Sequence, residues 1–548
     1  MKRRIGPLFL CVPLLSLLIS CGGGSSGGIQ PPPPPPPGGN AQYVVLAWSE
    51  LGMHCMDGKD YSVFAVLPPY NTVHAQVFKK GSPPTLVQSG ITVTYEAVAD
   101  TAGSINTGSA TKTNFWTYVS VLFHANVAPD TGLTGNKTQS TTPQPFAFDN
   151  ASGTWLAQAI PTVPYDDSGT SKPYPMAKIV VRDASSKVLA STTVVLSVSD
   201  EMRCSSCHAS GSDPAAQPAG GWENDPDAAK DVKWNILRLH DQNVAIASML
   251  PALQAAGYTY QSSLYQTAKG GTPILCAACH KSNALGTAGI NPAAPLTSAM
   301  HSHHASVLNQ STGLTLDNAT SPSDSCYLCH PGANTKCQRG VMRAVACYDC
   351  HGNLTVVGDP AREGWLDVPA CQMCHNGEQR YTTTFSSPGV WRSTMDTTFA
   401  TNPNAPIAGK TLFRFSTGHG NTYCAGCHGS QHAEVASVQP NDNLAYTTLQ
   451  GHDGKLIECS ACHTDTSVTV NGGPHGLHTV GQSWVNQHHN YAESNHTQCA
   501  ACHGADYKGS VLSQAAAARS FTTESGTKTY PAKANVSCYD CHNGPSGG

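Results

Sequence analysis

Cys204-Ser205-Ser206-Cys207-His208 opens a series. Cys-x-x-Cys-His recurs at Cys276, Cys279 and His280, at Cys326, Cys329 and His330, at Cys347, Cys350 and His351, and at Cys371, Cys374 and His375. It returns at Cys424, Cys427 and His428, at Cys459, Cys462 and His463, at Cys499, Cys502 and His503, and at Cys538, Cys541 and His542. Each copy is the attachment signature of a c-type haem. The two thiols bond covalently to the porphyrin, and the adjacent imidazole supplies one axial ligand to iron. Paired Cys-x-x-Cys also builds zinc sites, but zinc does not require His directly after the second Cys. All nine copies have it, so the expectation is nine covalent haems and electron transfer between them.

The chain begins as an exported protein does. Lys2, Arg3 and Arg4 precede an apolar run over residues 8–19 that is short for a bilayer span. Residues 1–20 therefore read as a signal peptide. Leu18-Ile19-Ser20-Cys21 resembles a lipobox, with lipid expected on Cys21; an ordinary cleaved or uncleaved leader is the alternative. Residues 21–40 form a Gly/Pro-rich tether whose seven prolines, Pro31 to Pro37, would span about 22 Å as polyproline II. Of 22 cysteines the motifs use eighteen, Cys11 lies in the leader and Cys21 takes the lipid. Cys55 and Cys337 remain, as a disulfide between them or as two unrelated thiols.

Two segments follow. Residues 41–200 hold no haem motif and read as an all-β, sandwich-like domain, with strands at 43–48, 61–67, 74–78, 91–98, 115–123, 178–182 and 192–198. Residues 201–548 hold every motif, one per about 39 residues. They read as a loop-rich, partly α-helical multihaem cytochrome c domain whose core is the haem array, with one helix over 227–253. Charged residues are only 12% of the chain. Removing Lys2, Arg3 and Arg4 takes the formal charge from -4 to -7. With two propionates per haem the holoprotein would approach about -25, which disfavours nucleic acid and anionic lipid.

The second iron ligand decides between carrier and catalyst, because a haem with an open position can bind substrate. Twelve histidines lie among the motifs outside them. The best placed are His240, His301, His304, His419, His432, His452, His475, His478 and His496, with His303 and one of His488 and His489 as spares. His301 and His304, at i and i+3, share a helix face if helical and would serve two haems or compete for one. Twelve candidates for nine second positions are close to saturation and favour two His per iron. In the N-terminal half Met53, His54, Cys55 and Met56, with His74, are either a copper site or a buried turn.

At Asn235-Ile236-Leu237-Arg238-Leu239-His240-Asp241, TSAMHSHHA, CAGCHGSQHAE, LQGHDGKLIECSACH, GPHGLHTVGQSW and the Asn-His before CAACHG, the chain resembles the outer-surface multihaem c-type cytochromes of metal- and electrode-respiring bacteria. The resemblance implies bis-His haems and electron export to ferric minerals, electrodes or partner cytochromes. It implies other cytochromes or a porin-cytochrome conduit as partners, and an outer membrane lipoprotein at the cell surface or on the periplasmic face. It explains the haem half and leaves the β half, which would dock polysaccharide, mineral or a porin. The alternatives are a multihaem oxidoreductase with one substrate-binding haem and a subunit of a cytochrome filament. All nine motifs end in His, with no Cys-x-x-Cys-Lys departure, which weighs against the enzyme.

Overall fold

The computed structural model describes residues 42–369, 385–387, 390–391, 413–466, 477–510 and 513–545. The longer strands are β1 (Tyr43–Ser49), β2 (Tyr70–Lys79), β3 (Ile91–Val98), β4 (Thr154–Pro161), β5 (Met176–Asp183) and β6 (Val188–Val195). One antiparallel sheet runs β1-β2-β4, extended by Ala147–Asp149 and Thr85–Leu86. The other runs β6-β5-β3, extended by Gln144–Pro145. Register sets the inner faces: Val45 opposes Val77 and Ala47 opposes Ala75 in the first sheet, and Ile179 opposes Tyr95 and Val181 opposes Val93 in the second. These residues meet in one buried cluster, as in a sandwich. Each buried Val or Ile there contributes about 1.5–3 kcal/mol.

β1 is apolar without alternation, and the reason is that both of its faces are covered. Val44, Leu46 and Phe78 face Leu449, Leu456 and Cys462, while Trp48 packs on Tyr423 and Ala425. The sixth and seventh motifs thus lie on the outer face of this sheet.

Residues 115–123, expected as a strand, form a helix, α1 (Phe115–Phe123). Their aromatic and β-branched content suits a strand, but Phe115, Val119 and Leu122 recur with helical spacing and are the buried ones. A single apolar stripe had to reach one core, and packing overrode propensity. Of the strand expected at 61–67 only Phe64–Ala65 pairs, in parallel, with Ile274–Leu275 just before the second motif. The helix expected over 227–253 is broken. α2 (Ala228–Asn243) starts at Asp227, whose carboxylate accepts from the Ala229 and Lys230 amides, and stops where Val244 is extended. A short helix, Leu250–Ala255, begins with Pro251 in its first turn, where proline is tolerated.

Polypeptide, too, forms a core within the motif-bearing half. Met56, Tyr61, Phe115, Leu122 and Val198 pack with Trp234, Leu237, Ile246, Leu253, Leu264, Ile274 and Leu275. The expectation that haem alone would supply the core of that half is therefore corrected for residues up to about 279, which share an apolar interior with the sheets. Beyond it the buried apolar residues thin to Ala305, Leu316, Tyr423, Ala425, Ala433, Val435, Tyr446 and Ala461 among those described. No helix among the described residues is long and apolar enough to cross a membrane.

Candidate haem-binding sites

A single helical turn shapes the motifs. The amide of His208 donates to the Cys204 carbonyl at 2.8 Å, and His280, His330, His463 and His542 repeat the bond to Cys276, Cys326, Cys459 and Cys538 at 2.8–3.0 Å. Cys347–His351 and Cys424–His428 are one-turn helices, and Cys499, Cys502 and His503 end the longer helix His489–His503. In a helical turn residues i, i+3 and i+4 lie on one side, so both thiols and the imidazole address one ligand. Cys371, Cys374, His375 and His475 lie outside the described residues.

Opposite the motif histidines stand others. α3 (Leu296–Ala305) points two of them at different motifs: His301 stacks 6.1 Å from His330, and His304 lies 6.4 Å from His208, between ring centroids. His432 is 6.1 Å from His351, His419 is 5.8 Å from His463 and His478 is 6.3 Å from His503. His488 follows α4 (Gln482–Gln487), precedes α5 (His489–His503) and lies 5.6 Å from His542. On α2, His240 is held below the ordinary histidine range by burial first and then by His280 nearby. Two imidazoles bound to opposite sides of one metal ion, at about 2.0 Å per bond, put their centroids roughly 6 Å apart. The spacing fits an iron between each pair.

Tautomers fit as well. A backbone carbonyl only accepts, so an imidazole bonded to it through Nδ1 carries its proton there and keeps the Nε2 lone pair for a metal. His301 donates in this way to Thr297, His304 to Met300, His280 to Ala294, His478 to Thr479, His488 to Val485 and His503 to Val536, all at 2.7–2.9 Å. Burial holds several of these rings neutral, as ligands must be: His351 is pushed down to about 3, and His208, His301 and His478 to about 4.

His452 is engaged differently, its Nδ1 on the Asp453 carbonyl at 2.7 Å and its Nε2 3.1 Å from Glu458. His496 lies 6.4 Å from Tyr507. Sequence reasoning left one of His488 and His489 as a spare, and the structure sets His488 opposite a motif histidine. Nothing in the His488-His489 doublet separates the two; the end of α4 does, leaving His489 exposed. His303 is exposed beside His304.

The motifs also neighbour one another, in one case out of chain order and otherwise in consecutive pairs. Cys329 of the third lies beside Cys204 and Cys207 of the first, and Cys326 shares a hydrogen bond with Cys347 of the fourth. Cys427 of the sixth is near Cys462 of the seventh, and Cys538 of the ninth near Cys499 of the eighth.

No group of three or more His, Cys, Asp or Glu side chains among the described residues is placed to hold a metal ion. Among the described residues the facing groups are pairs of imidazoles rather than four-ligand clusters of the zinc kind. The copper candidates are apart in setting. His54 is buried against Tyr70 and Trp365, and His74 stacks on Trp48 with Nδ1 3.0 Å from Thr154 Oγ1. Cys55 and Cys337 are free thiols.

Residues 339–546 match a family model described as outer membrane cytochrome MtrC/MtrF-like, domains II/IV. The match supports a cell-surface multihaem cytochrome of metal-respiring bacteria. The matched residues hold six of the nine motifs, from Cys347 to His542. No curated protein and no solved structure matches the chain. For this family, covalently bound haem c and extracellular electron transfer are implied, and the outer membrane is its place.

Proposed function

We propose that this chain binds nine covalent c-type haems, most with two axial histidines, which relay electrons from the outer membrane to acceptors outside the cell. The observation that carries the proposal is the set of imidazoles facing motif histidines at 5.6–6.4 Å, most with Nδ1 already committed to a carbonyl. The proposed second ligands are His304 for the first motif, His240 for the second, His301 for the third and His432 for the fourth. His419 serves the seventh, His478 the eighth and His488 the ninth. At these seven sites both axial positions are taken by protein and the iron is closed to substrate, which favours a carrier over an enzyme.

The residues also divide the work. One-turn helices fix thiols and imidazole together, and α3 holds two neighbouring sites in a set relation through one rigid element. The leader, the lipid on Cys21 and the proline tether would hold these sites at the membrane surface, near a porin-cytochrome conduit or partner cytochromes, with ferric minerals or electrodes as terminal acceptors.

Intact mass and spin state test this together. Purified protein is expected to weigh its processed polypeptide plus nine haem masses, with low-spin ferric spectra throughout. A mass without haem, or a majority of high-spin iron, would sink the proposal.

A further inference from the structure

His432 differs from the other facing imidazoles. Where His301, His304, His478 and His488 turn Nδ1 to a carbonyl at 2.7–2.9 Å, His432 turns it to the sulfur of Cys337 at 3.8 Å. That contact is held firmly. The His432 carbonyl accepts from the amides of Arg339 and Gly340 at 2.7 and 2.8 Å, and its own amide donates to Glu434 Oε1 at 2.8 Å. Arg339, 1% exposed, is paired with Asp442 through two bonds of 2.7 and 3.0 Å. It also donates to the Gly52 carbonyl at 2.6 Å and lies 4.9 Å from the centre of the Tyr174 ring. Tyr174 in turn accepts from the Lys336 amide at 2.9 Å. Both sides of the sulfur–imidazole contact are thus anchored to the β half.

If Nε2 of His432 binds iron, Nδ1 carries the proton, and sulfur must accept it. Sulfur is a weak acceptor. A metal-bound imidazole gains basicity from the acceptor at its far nitrogen, and a stronger acceptor makes it a better donor to iron. A poor acceptor leaves the iron less electron-rich and easier to reduce. We propose that Cys337 is a positioning residue, acting through His432, that sets the haem on Cys347, Cys350 and His351 at a higher reduction potential than that haem would have with an oxygen acceptor in place of the sulfur. The proposal rests on the two-histidine reading above. It makes the fourth site a place where electrons dwell, with its neighbour at the third motif in contact through Cys326 and Cys347.

The test is a redox titration of the intact nine-haem protein, followed through the haem absorption, for the parent, Cys337→Ser and Cys337→Ala. The hydroxyl of serine is the better acceptor, so in Cys337→Ser one-ninth of the haem signal should move to lower potential. In Cys337→Ala, which offers no acceptor, no component should fall. Arg339, Asp442 and Glu434 are unchanged in both, so their fields cancel from the comparison. Parent-like titrations in both variants, with nine haems present, would overturn the proposal; absence of haem from the parent would instead overturn the reading it rests on. Loss of haem from both variants while the parent keeps nine would make Cys337 a structural residue and overturn its role as a positioning residue. Cys55 and Cys337 should both alkylate after unfolding without reductant, and a disulfide between them would overturn the thiol contact.

Discussion

At the scale of single residues, a motif histidine and its partner act as one unit only if the partner's Nε2 is free and aimed inward. That condition separates near neighbours in the sequence. His301 and His304 meet it on successive turns of α3, while His303 between them is exposed. Replacing His301 or His304 by alanine should convert one-ninth of the iron to a high-spin form that binds small ligands. His303→Ala should convert none. Magnetic circular dichroism of the ferric protein reads this directly, and a high-spin signal in His303→Ala would reassign the helix. The motifs themselves can be read from the chain alone, because the attachment signature lies in five consecutive residues. Their partners were legible only as a list. Pairing joins residues such as His432 and His351 that are far apart in the chain, and no local pattern encodes which faces which.

Elements show where local pattern gives way to packing. β1, β2, β3 and β5 could be read from their apolar, β-branched runs. α1 could not, since FWTYVSVLF satisfies strand propensity and only its burial at Phe115, Val119 and Leu122 reveals the helical stripe. The same cluster draws α2 and the parallel Ile274–Leu275 pairing into contact with the sheets. A consequence is measurable. Protein expressed without haem attachment should still protect its amides from hydrogen exchange up to about residue 279, where the apolar cluster ends, and should exchange rapidly beyond it. Protection stopping near residue 200 would mean that the cluster needs haem to form. What made this boundary hard to read is that the second motif lies inside an ordinary hydrophobic core, with Ala277, Ala278 and Cys279 buried in it.

For the whole molecule the excess of buried imidazole sets the response to acid. Burial pushes His54 and His74 down to about 4. The unfolded chain, with ordinary histidines near 6.5, then binds more protons than the folded one between those values, so stability falls as pH drops from about 6.5 to 4. Each of the two costs roughly 3 kcal/mol at the acid end, and buried rings at the haem sites, His351 and His301 among them, add in the same direction. Asp57, raised to about 6 by burial, works the other way, as do Glu50 and Glu434. With Asp367 they are four, against six rings, His54, His74, His208, His301, His351 and His478, pushed down to about 3 or 4, and the histidines win. Guanidinium unfolding of the holoprotein at pH 7, 5.5 and 4 should show a falling midpoint, and a midpoint that rises on acidification would contradict the burial of these rings.

β1 is sealed on its outer face by residues that arrive late. Ser49 accepts from the Ser430 hydroxyl across 381 positions of chain, and Trp48 waits for Tyr423. During synthesis the N-terminal strand emerges first and stays apolar on one side while some 370 further residues are made. Leu46 and Trp48 therefore stay uncovered during that interval, and the arrival of Tyr423 and Ala425 is the step that closes the sheet against aggregation.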